Sequence, residues 1–125
     1  MTGADVLRVL VELCERPATD RALEPAAHAA KIARTLDPDA RDGRGVSPRL
    51  TRLVAARLAV RGRKSRRLAD GRIKEYRGAS TTVYSPTERG REVDRLLAGA
   101  TAARGGTFKP RSQLGIDTTE ELALR

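Results

Sequence analysis

The sequence predicts an α+β fold that is mostly helical. Apolar residues recur at helical spacing in three successive segments before residue 62 and in a fourth segment after residue 85. Between them, Asp70-Gly71 separates two short basic segments and is typical of a hairpin turn. At 125 residues, the chain has the length of one domain with a modest core.

The first helical segment runs from about residue 4 to Glu15. Thr2 and Asp5 have the spacing of a capping box. Apolar side chains then follow on one face: Val6, Leu7, Leu10, Leu13 and Cys14. Pro17 ends the segment because proline lacks the backbone N–H that a helix needs. Cys14 is the only cysteine, which excludes an internal disulfide, and we expect it to pack in the core.

The second helical segment begins at Glu24-Pro25 and ends near Leu36, because proline is favoured in the first turn of a helix. Its apolar face consists mostly of small side chains: Ala26, Ala27, Ala30, Ile32, Ala33 and Leu36. Residues 37–45 are polar, contain Pro38 and two glycines, and predict a loop. A third helix then begins at Ser47-Pro48, with Ser47 as N-cap, and ends at Gly62. Its inward residues are Leu50, Leu53, Val54 and Leu58.

A basic hairpin follows, with strands from Arg63 to Leu68 and from Arg72 to Arg77 on either side of the Asp70-Gly71 turn. Thr81 to Tyr84 is β-branched and aromatic and predicts a closing strand. The last helix begins at Ser85-Pro86-Thr87-Glu88 and carries Val93, Leu96 and Leu97 inward. Either Ser85, with Glu88 completing a capping box, or Thr87 is the N-cap, and the sequence leaves both open.

Residues 99–125 are expected to be a C-terminal tail after a domain of residues 1–98. Asp117 to Glu120 has capping-box spacing and can begin a short helix that ends at Leu124. The tail also carries four large aliphatic residues: Leu114, Ile116, Leu122 and Leu124. These residues either dock on a neighbouring subunit, as a dimerisation element, or stay free. We expect docking because such residues are unusual in a disordered end.

Positive charge is concentrated in residues 44–77, which hold 12 Lys+Arg against 2 Asp+Glu. Residues 1–43 hold 6 against 8, and residues 78–125 hold 7 against 6. So dense a positive block repels itself unless it meets a polyanion, and the phosphate backbone of nucleic acid is the commonest one. The alternative is a solvated charged face in an arginine-rich protein. We expect nucleic-acid binding because a general bias toward arginine would also have made the first 43 residues positively charged, and they are not.

Three helices, a hairpin and a fourth helix in this order give a winged helix-turn-helix arrangement. Residues 46–53, with Leu58, Gly62 and Arg66, resemble the recognition-helix signature of MarR-like and related winged-helix regulators. Residues 83–93 are similar to the Tyr-x-x-Thr-x-x-Gly motif that leads from the wing into the following helix in that family. The resemblance covers residues 5–98. It implies that the third helix enters a major groove and that the hairpin, as the wing, meets an adjacent backbone or minor groove.

We therefore expect a sequence-specific protein that binds double-stranded DNA, and a transcriptional regulator. The predicted base-reading residues lie off the apolar stripe of the third helix: Arg49, Thr51 and Arg52. The predicted contacts to the DNA backbone are Ser47, Arg57, Arg61, Lys64, Arg66, Arg67, Arg72, Lys74 and Arg77. A homodimer is expected because two-fold symmetry is the usual way for such domains to gain affinity.

An enzyme is not expected. His28 is the only histidine, has no paired cysteine to share a metal, and lies among alanines, while capping explains Ser47 and Ser85. The sequence contains no phosphate-binding loop and no apolar stretch long enough for a membrane span. No cofactor and no small-molecule effector can be inferred from it. A cytoplasmic protein, located at the nucleoid when bound to DNA, is the expectation.

Two alternatives use the same residues. One is a structured-RNA or ribosome-associated binding protein with the same basic surface, for which competition between duplex DNA and structured RNA at fixed salt is the discriminating test. The other is a winged-helix protein interaction module in a larger assembly, which predicts no duplex binding even at low salt.

Overall fold

The computed structural model describes residues 1–15, 26–63, 65–75, 82–102 and 115–125, and these residues form an α+β fold. The helices are α1 (Gly3–Cys14), α2 (Ala29–Leu36), α3 (Ser47–Ala55), α4 (Glu88–Ala102) and α5 (Thr118–Leu124). The strands are β1 (Ala59–Arg63), β2 (Ser65–Arg67), β3 (Ile73–Glu75) and β4 (Thr82–Pro86). The predicted α+β class is confirmed. Within the described ranges, no helix has the length and apolar character needed to cross a membrane.

Helix α1 lies at the centre of the core, where it packs against α2, α3, α4, α5 and β4. Its predicted capping box is confirmed, because the Asp5 N–H donates to Thr2 Oγ1 (3.2 Å) and the Thr2 N–H donates to Asp5 Oδ2 (2.8 Å). Most of its apolar residues are buried: Val6, Leu7, Val9, Leu10, Val11 and Cys14. Because several elements share this one helix, its apolar pattern holds the others in place.

Helix α2 begins at Ala29, later than predicted. Residues 26–28 are not helical because the backbone of Ala27 pairs with Tyr84 in β4, with N···O distances of 2.8 Å in both directions. The predicted start at Glu24-Pro25 lies outside the described residues, and a helix continuing from there through Ala27 is wrong. The predicted end at Leu36 is confirmed.

Helix α3 is shorter than predicted and ends at Ala55. Arg57 adopts a left-handed conformation (φ 62°), and its N–H donates to Val54 O (3.0 Å) while the Leu58 N–H donates to Leu53 O (2.9 Å). This pair of bonds is the Schellman arrangement that closes a helix. The chain then enters β1, so the prediction that the helix reaches Gly62 is wrong. The predicted start at Ser47-Pro48 is confirmed, but the prediction that Ser47 is the N-cap is wrong, because Val46 occupies that position and Ser47 is already helical.

The basic hairpin is confirmed in β2 and β3, and the strands that flank it in the chain, β1 and β4, form a second two-stranded sheet. We refer to all four strands together as the hairpin. Strand β1 pairs antiparallel with β4, from Ala59 opposite Pro86 to Arg63 opposite Thr82, and β2 pairs antiparallel with β3. The turn between β2 and β3 is at Asp70-Gly71, where Gly71 has a φ of 86° that suits glycine. The carboxylate of Asp70 accepts the Arg72 N–H at 3.0 Å. This hydrogen bond lowers the pKa of Asp70.

The end of α3 and the start of α4 meet at one junction. Thr87 is the N-cap of α4, because its Oγ1 accepts the Gly90 N–H (2.9 Å), and this settles the choice against Ser85. The same hydroxyl donates to Arg57 O (2.7 Å), and the Thr87 N–H donates to Leu58 O (3.1 Å). A Cβ on Gly90 would lie 2.0 Å from Leu58 O, so only glycine fits there.

Helix α5 packs against α1 and α3 of the same chain. Its capping box is confirmed, since the Glu120 N–H donates to Asp117 Oδ1 (2.8 Å) and the Asp117 N–H donates to Glu120 Oε1 (3.0 Å). Ile116 and Leu124 are buried, whereas Leu122 is 54% exposed, and Leu114 lies outside the described residues. The tail thus docks on its own core through α5, and a homodimer stays a prediction.

Arg89 of α4 holds α5 in place. Its Nε and Nη2 donate to the two carboxylate oxygens of Glu120 (2.7 and 2.8 Å), and Nη2 also donates to Gly115 O (2.6 Å). The Glu120 side chain is only 6% exposed. The hydrogen bonds from Arg89 lower the pKa of Glu120 and raise the pKa of Arg89, because each stabilises the charged form.

The Gly90→Ala variant is expected to lose about 1 to 3 kcal/mol of unfolding free energy, because the added methyl group forces α4 away from the Leu58 carbonyl. Gly99→Ala, on the same helix with no atom within 4 Å of its added Cβ, is the control. It should gain about 0.5 to 1 kcal/mol from helix propensity. Urea unfolding measures both, and equal effects would contradict the close approach.

The Glu120→Gln variant is expected to lose about 1 to 3 kcal/mol near neutral pH, because a charge-assisted pair becomes a neutral hydrogen bond. Since the folded-state pKa of Glu120 is lowered, the pair stabilises the fold above the ordinary glutamate pKa of about 4.3. That stabilisation disappears as pH falls through the lowered value. Urea unfolding at decreasing pH should therefore show a smaller acid-induced loss in the variant.

Glu92→Gln is the matched control, because Glu92 also pairs with Arg89 but is 52% exposed. It should change stability by only about 0 to 1 kcal/mol. If the two variants lost the same amount, Arg89 would not be anchoring α5 through Glu120.

Candidate nucleic-acid interface

The outer face of α3 presents two of the three predicted base-reading residues to solvent. Thr51 and Arg52 are both exposed. The Thr51 hydroxyl donates to Ser47 O (3.0 Å), which leaves its oxygen able to accept a hydrogen bond. Within the described part of the chain, no carboxylate pairs with Arg52. A cationic side chain on an exposed helix face can donate to a base edge or a phosphate.

Arg49, the third predicted base-reading residue, is directed toward the start of the chain. Its Nη1 donates to Gly45 O (2.9 Å) and its Nη2 donates to Met1 O (3.2 Å). Nε is buried and lacks a protein acceptor among the described residues. The guanidinium therefore joins the loop before α3 to the N-terminus.

Two of the predicted backbone contacts lie after α3 rather than on it. Arg57 is exposed at the left-handed residue that closes α3, and Arg61 is exposed in β1. The guanidinium carbon of Arg61 lies 5.7 Å from the centre of the Tyr84 ring, within the range of a cation–π contact. Its Nη2 donates to Thr51 Oγ1 at 3.4 Å. Arg61 thus connects the hairpin with the outer face of α3.

The remaining predicted contacts lie mostly along the hairpin. Arg72 and Lys74 are exposed, and the Arg72 Nε pairs with Asp70 Oδ2 at 2.6 Å. Arg66 and Arg67 belong to β2, whereas Lys64 and Arg77 lie outside the described residues. Ser47 is half-buried, and its hydroxyl donates to Gly43 O (2.8 Å) at the start of α3.

A cleft of about 600 Å³ opens beside this surface, between α2, the start of α3 and strands β1 and β4. The lining side chains include Lys31, Arg34, Ser47, Arg61, Thr82 and Tyr84, and none of the described lining residues is acidic. The sequence-based predictions did not include Lys31 and Arg34. Their three-residue spacing on a helix, which places two cations on one face, is the signal that could have found them.

The only histidine and the only cysteine of the chain both lie in the described ranges. His28 Nδ1 lies 3.1 Å from Thr82 O, and no group of three His, Cys, Asp or Glu side chains in the described ranges could hold a metal. Burial raises the pKa of Cys14 to about 11, so its thiol is protonated at neutral pH and is a poor nucleophile.

Comparison of the chain with protein-family models, with curated proteins and with solved structures finds no match.

The Arg49→Ala variant is expected to lose about 1 to 2 kcal/mol of unfolding free energy, because two hydrogen bonds to backbone carbonyls disappear. Arg52→Ala, three residues along the same helix, should change stability by less than about 0.5 kcal/mol. Thermal or urea unfolding of both variants tests this difference. A larger loss for Arg52→Ala would show that the guanidinium of Arg49 does not stabilise the fold.

Proposed function

We propose that this protein is a winged helix-turn-helix protein that binds double-stranded DNA sequence-specifically and regulates transcription. In this proposal α2 and α3 form the helix-turn-helix, and the hairpin from β1 to β4 is the wing. The exposed face of α3 enters the major groove, where Thr51 and Arg52 contact base edges. The wing contacts the backbone.

One observation carries the proposal: the hydrogen bond between Arg61 and Thr51. It joins a side chain of β1 to the outer face of α3, so the cation of Arg61 lies beside the exposed face of that helix. This suits sequence-specific binding, in which a base-reading helix and a backbone-contacting element engage a duplex together.

Ion pairs occur both inside the basic segment, at Arg44 and Arg72, and outside it, at Arg8 and Arg89. Within the described residues, Arg52 and Arg61 have no carboxylate partner, and both lie in the segment of greatest positive charge. Cations without carboxylate partners are the ones that can neutralise phosphates and release counterions.

Arg52→Ala is expected to cost about 1 to 3 kcal/mol of binding free energy on the preferred duplex and little on random duplexes, because the alanine cannot hydrogen-bond to a base edge. Lys74→Ala should weaken binding to all duplexes alike and reduce the magnitude of the salt slope by about 1. Fluorescence anisotropy titrations at several salt concentrations measure both.

Arg95→Ala, an exposed position on α4, is the control and should alter neither quantity. Equal losses on preferred and random duplexes for Arg52→Ala would contradict base reading by α3. Preference for structured RNA over duplex DNA at fixed salt would instead favour an RNA-binding protein. An absence of binding to either at low salt would favour a protein interaction module.

A further inference from the structure

The cleft between α2 and the hairpin has the charge of an anion site. Lys31 and Arg34 of α2 line one side of the cleft, and Arg61 of β1 lines the other. Ser47, at the start of α3, also lines it. Among the described residues, no acidic side chain lines the cleft. Three like charges around one concave surface repel each other, and an anion between them relieves that repulsion.

None of these three cations is neutralised by a carboxylate within the described residues. Arg34 Nη2 donates to the neutral carbonyl of Arg41, at 3.5 Å, and Arg61 contacts the Thr51 hydroxyl and the Tyr84 ring. By contrast, Arg8 and Arg89 pair with the largely buried carboxylates of Asp94 and Glu120. The cleft cations are thus free to bind an external anion.

The first turn of α2 adds donors to the same cleft. The residue before it, His28, directs its Nδ1 to Thr82 O and makes no side-chain cap on the helix. Ala29 and Ala30 line the cleft, so their small side chains leave the helix start open to a ligand. Backbone N–H groups at such a position favour negative charge and supplement the three cations.

We propose that this cleft binds a phosphate group, with Lys31, Arg34 and Arg61 as its cationic partners. Its volume of about 600 Å³ has room for the sugars on either side of a phosphate as well. The phosphate belongs either to the backbone of a duplex, in which case the inference rests on the proposed function, or to a free phosphorylated small molecule. Arg61 would then bind the phosphate in the cleft and also contact Thr51 on the outer face of α3.

Titration of the full ¹⁵N-labelled chain with inorganic phosphate, at constant ionic strength in chloride, tests the site directly. The amide signals of Ala29, Ala30 and Lys31 should shift saturably. In the variant carrying Lys31→Gln and Arg34→Gln the apparent affinity should fall at least about tenfold, because the phosphate loses hydrogen bonds from two charged donors. Glutamine preserves helix propensity at both positions.

The matched control removes the same charge elsewhere, through Arg95→Gln and Arg125→Gln, both exposed and outside the cleft. It should bind phosphate like the unmodified chain. If both variants lost affinity equally, or neither did, the cleft would not be the site and the proposal would be overturned.

A second titration, with duplex DNA, distinguishes the two sources of the phosphate. If the backbone occupies the cleft, the Lys31 and Arg34 variant should lower the magnitude of the salt slope by about 1 for each phosphate that is no longer neutralised, and the control should lower it less. Binding of inorganic phosphate without any duplex binding would support a small phosphorylated ligand and overturn the proposed function, while the cleft inference stood.

Discussion

The arrangement of the interface depends on the close contact between the end of α3 and the start of α4. The Leu58 carbonyl accepts the Thr87 N–H and lies so near Gly90 that a side chain there would clash. The Thr87 hydroxyl caps α4 and donates to the Arg57 carbonyl. Because β1 leaves α3 and β4 enters α4 at this same point, the contact fixes the direction of the hairpin relative to α3. The side-by-side placement of Thr51 and Arg61 follows from it.

The sequence predicted correctly those features that depend on residues close together in the chain. The capping box at Thr2, the Asp70-Gly71 turn and the capping box at Asp117 all hold, because each depends on residues a few positions apart. One error arose where a distant residue competes, since Ala27 pairs with Tyr84 instead of joining α2. Another arose because α3 closes at a left-handed Arg57, where glycine is the usual signal.

The sequence predicted which types of residue form the candidate site, but it did not predict how they are arranged. The charge block identified the region of the candidate surface, and Arg52 is exposed as expected. Arg49, however, donates to backbone carbonyls of Gly45 and Met1, which requires the N-terminus to lie beside α3. The cleft cations on α2 were missed because alanines dominate that helix and Lys31 and Arg34 join Arg61 only through the fold. Likewise, the docking of α5 depends on Arg89, which lies 31 residues before Glu120.

Selection of bound duplexes from a random pool, in the presence of structured RNA as competitor, tests the central claim most directly. The surface formed by α3 and the hairpin predicts that the selected duplexes share a short motif and that the RNA displaces them poorly. A palindromic motif would also establish the symmetric dimer. Recovery of duplexes without a shared motif, or their complete displacement by the RNA, would contradict sequence-specific recognition of DNA by this protein.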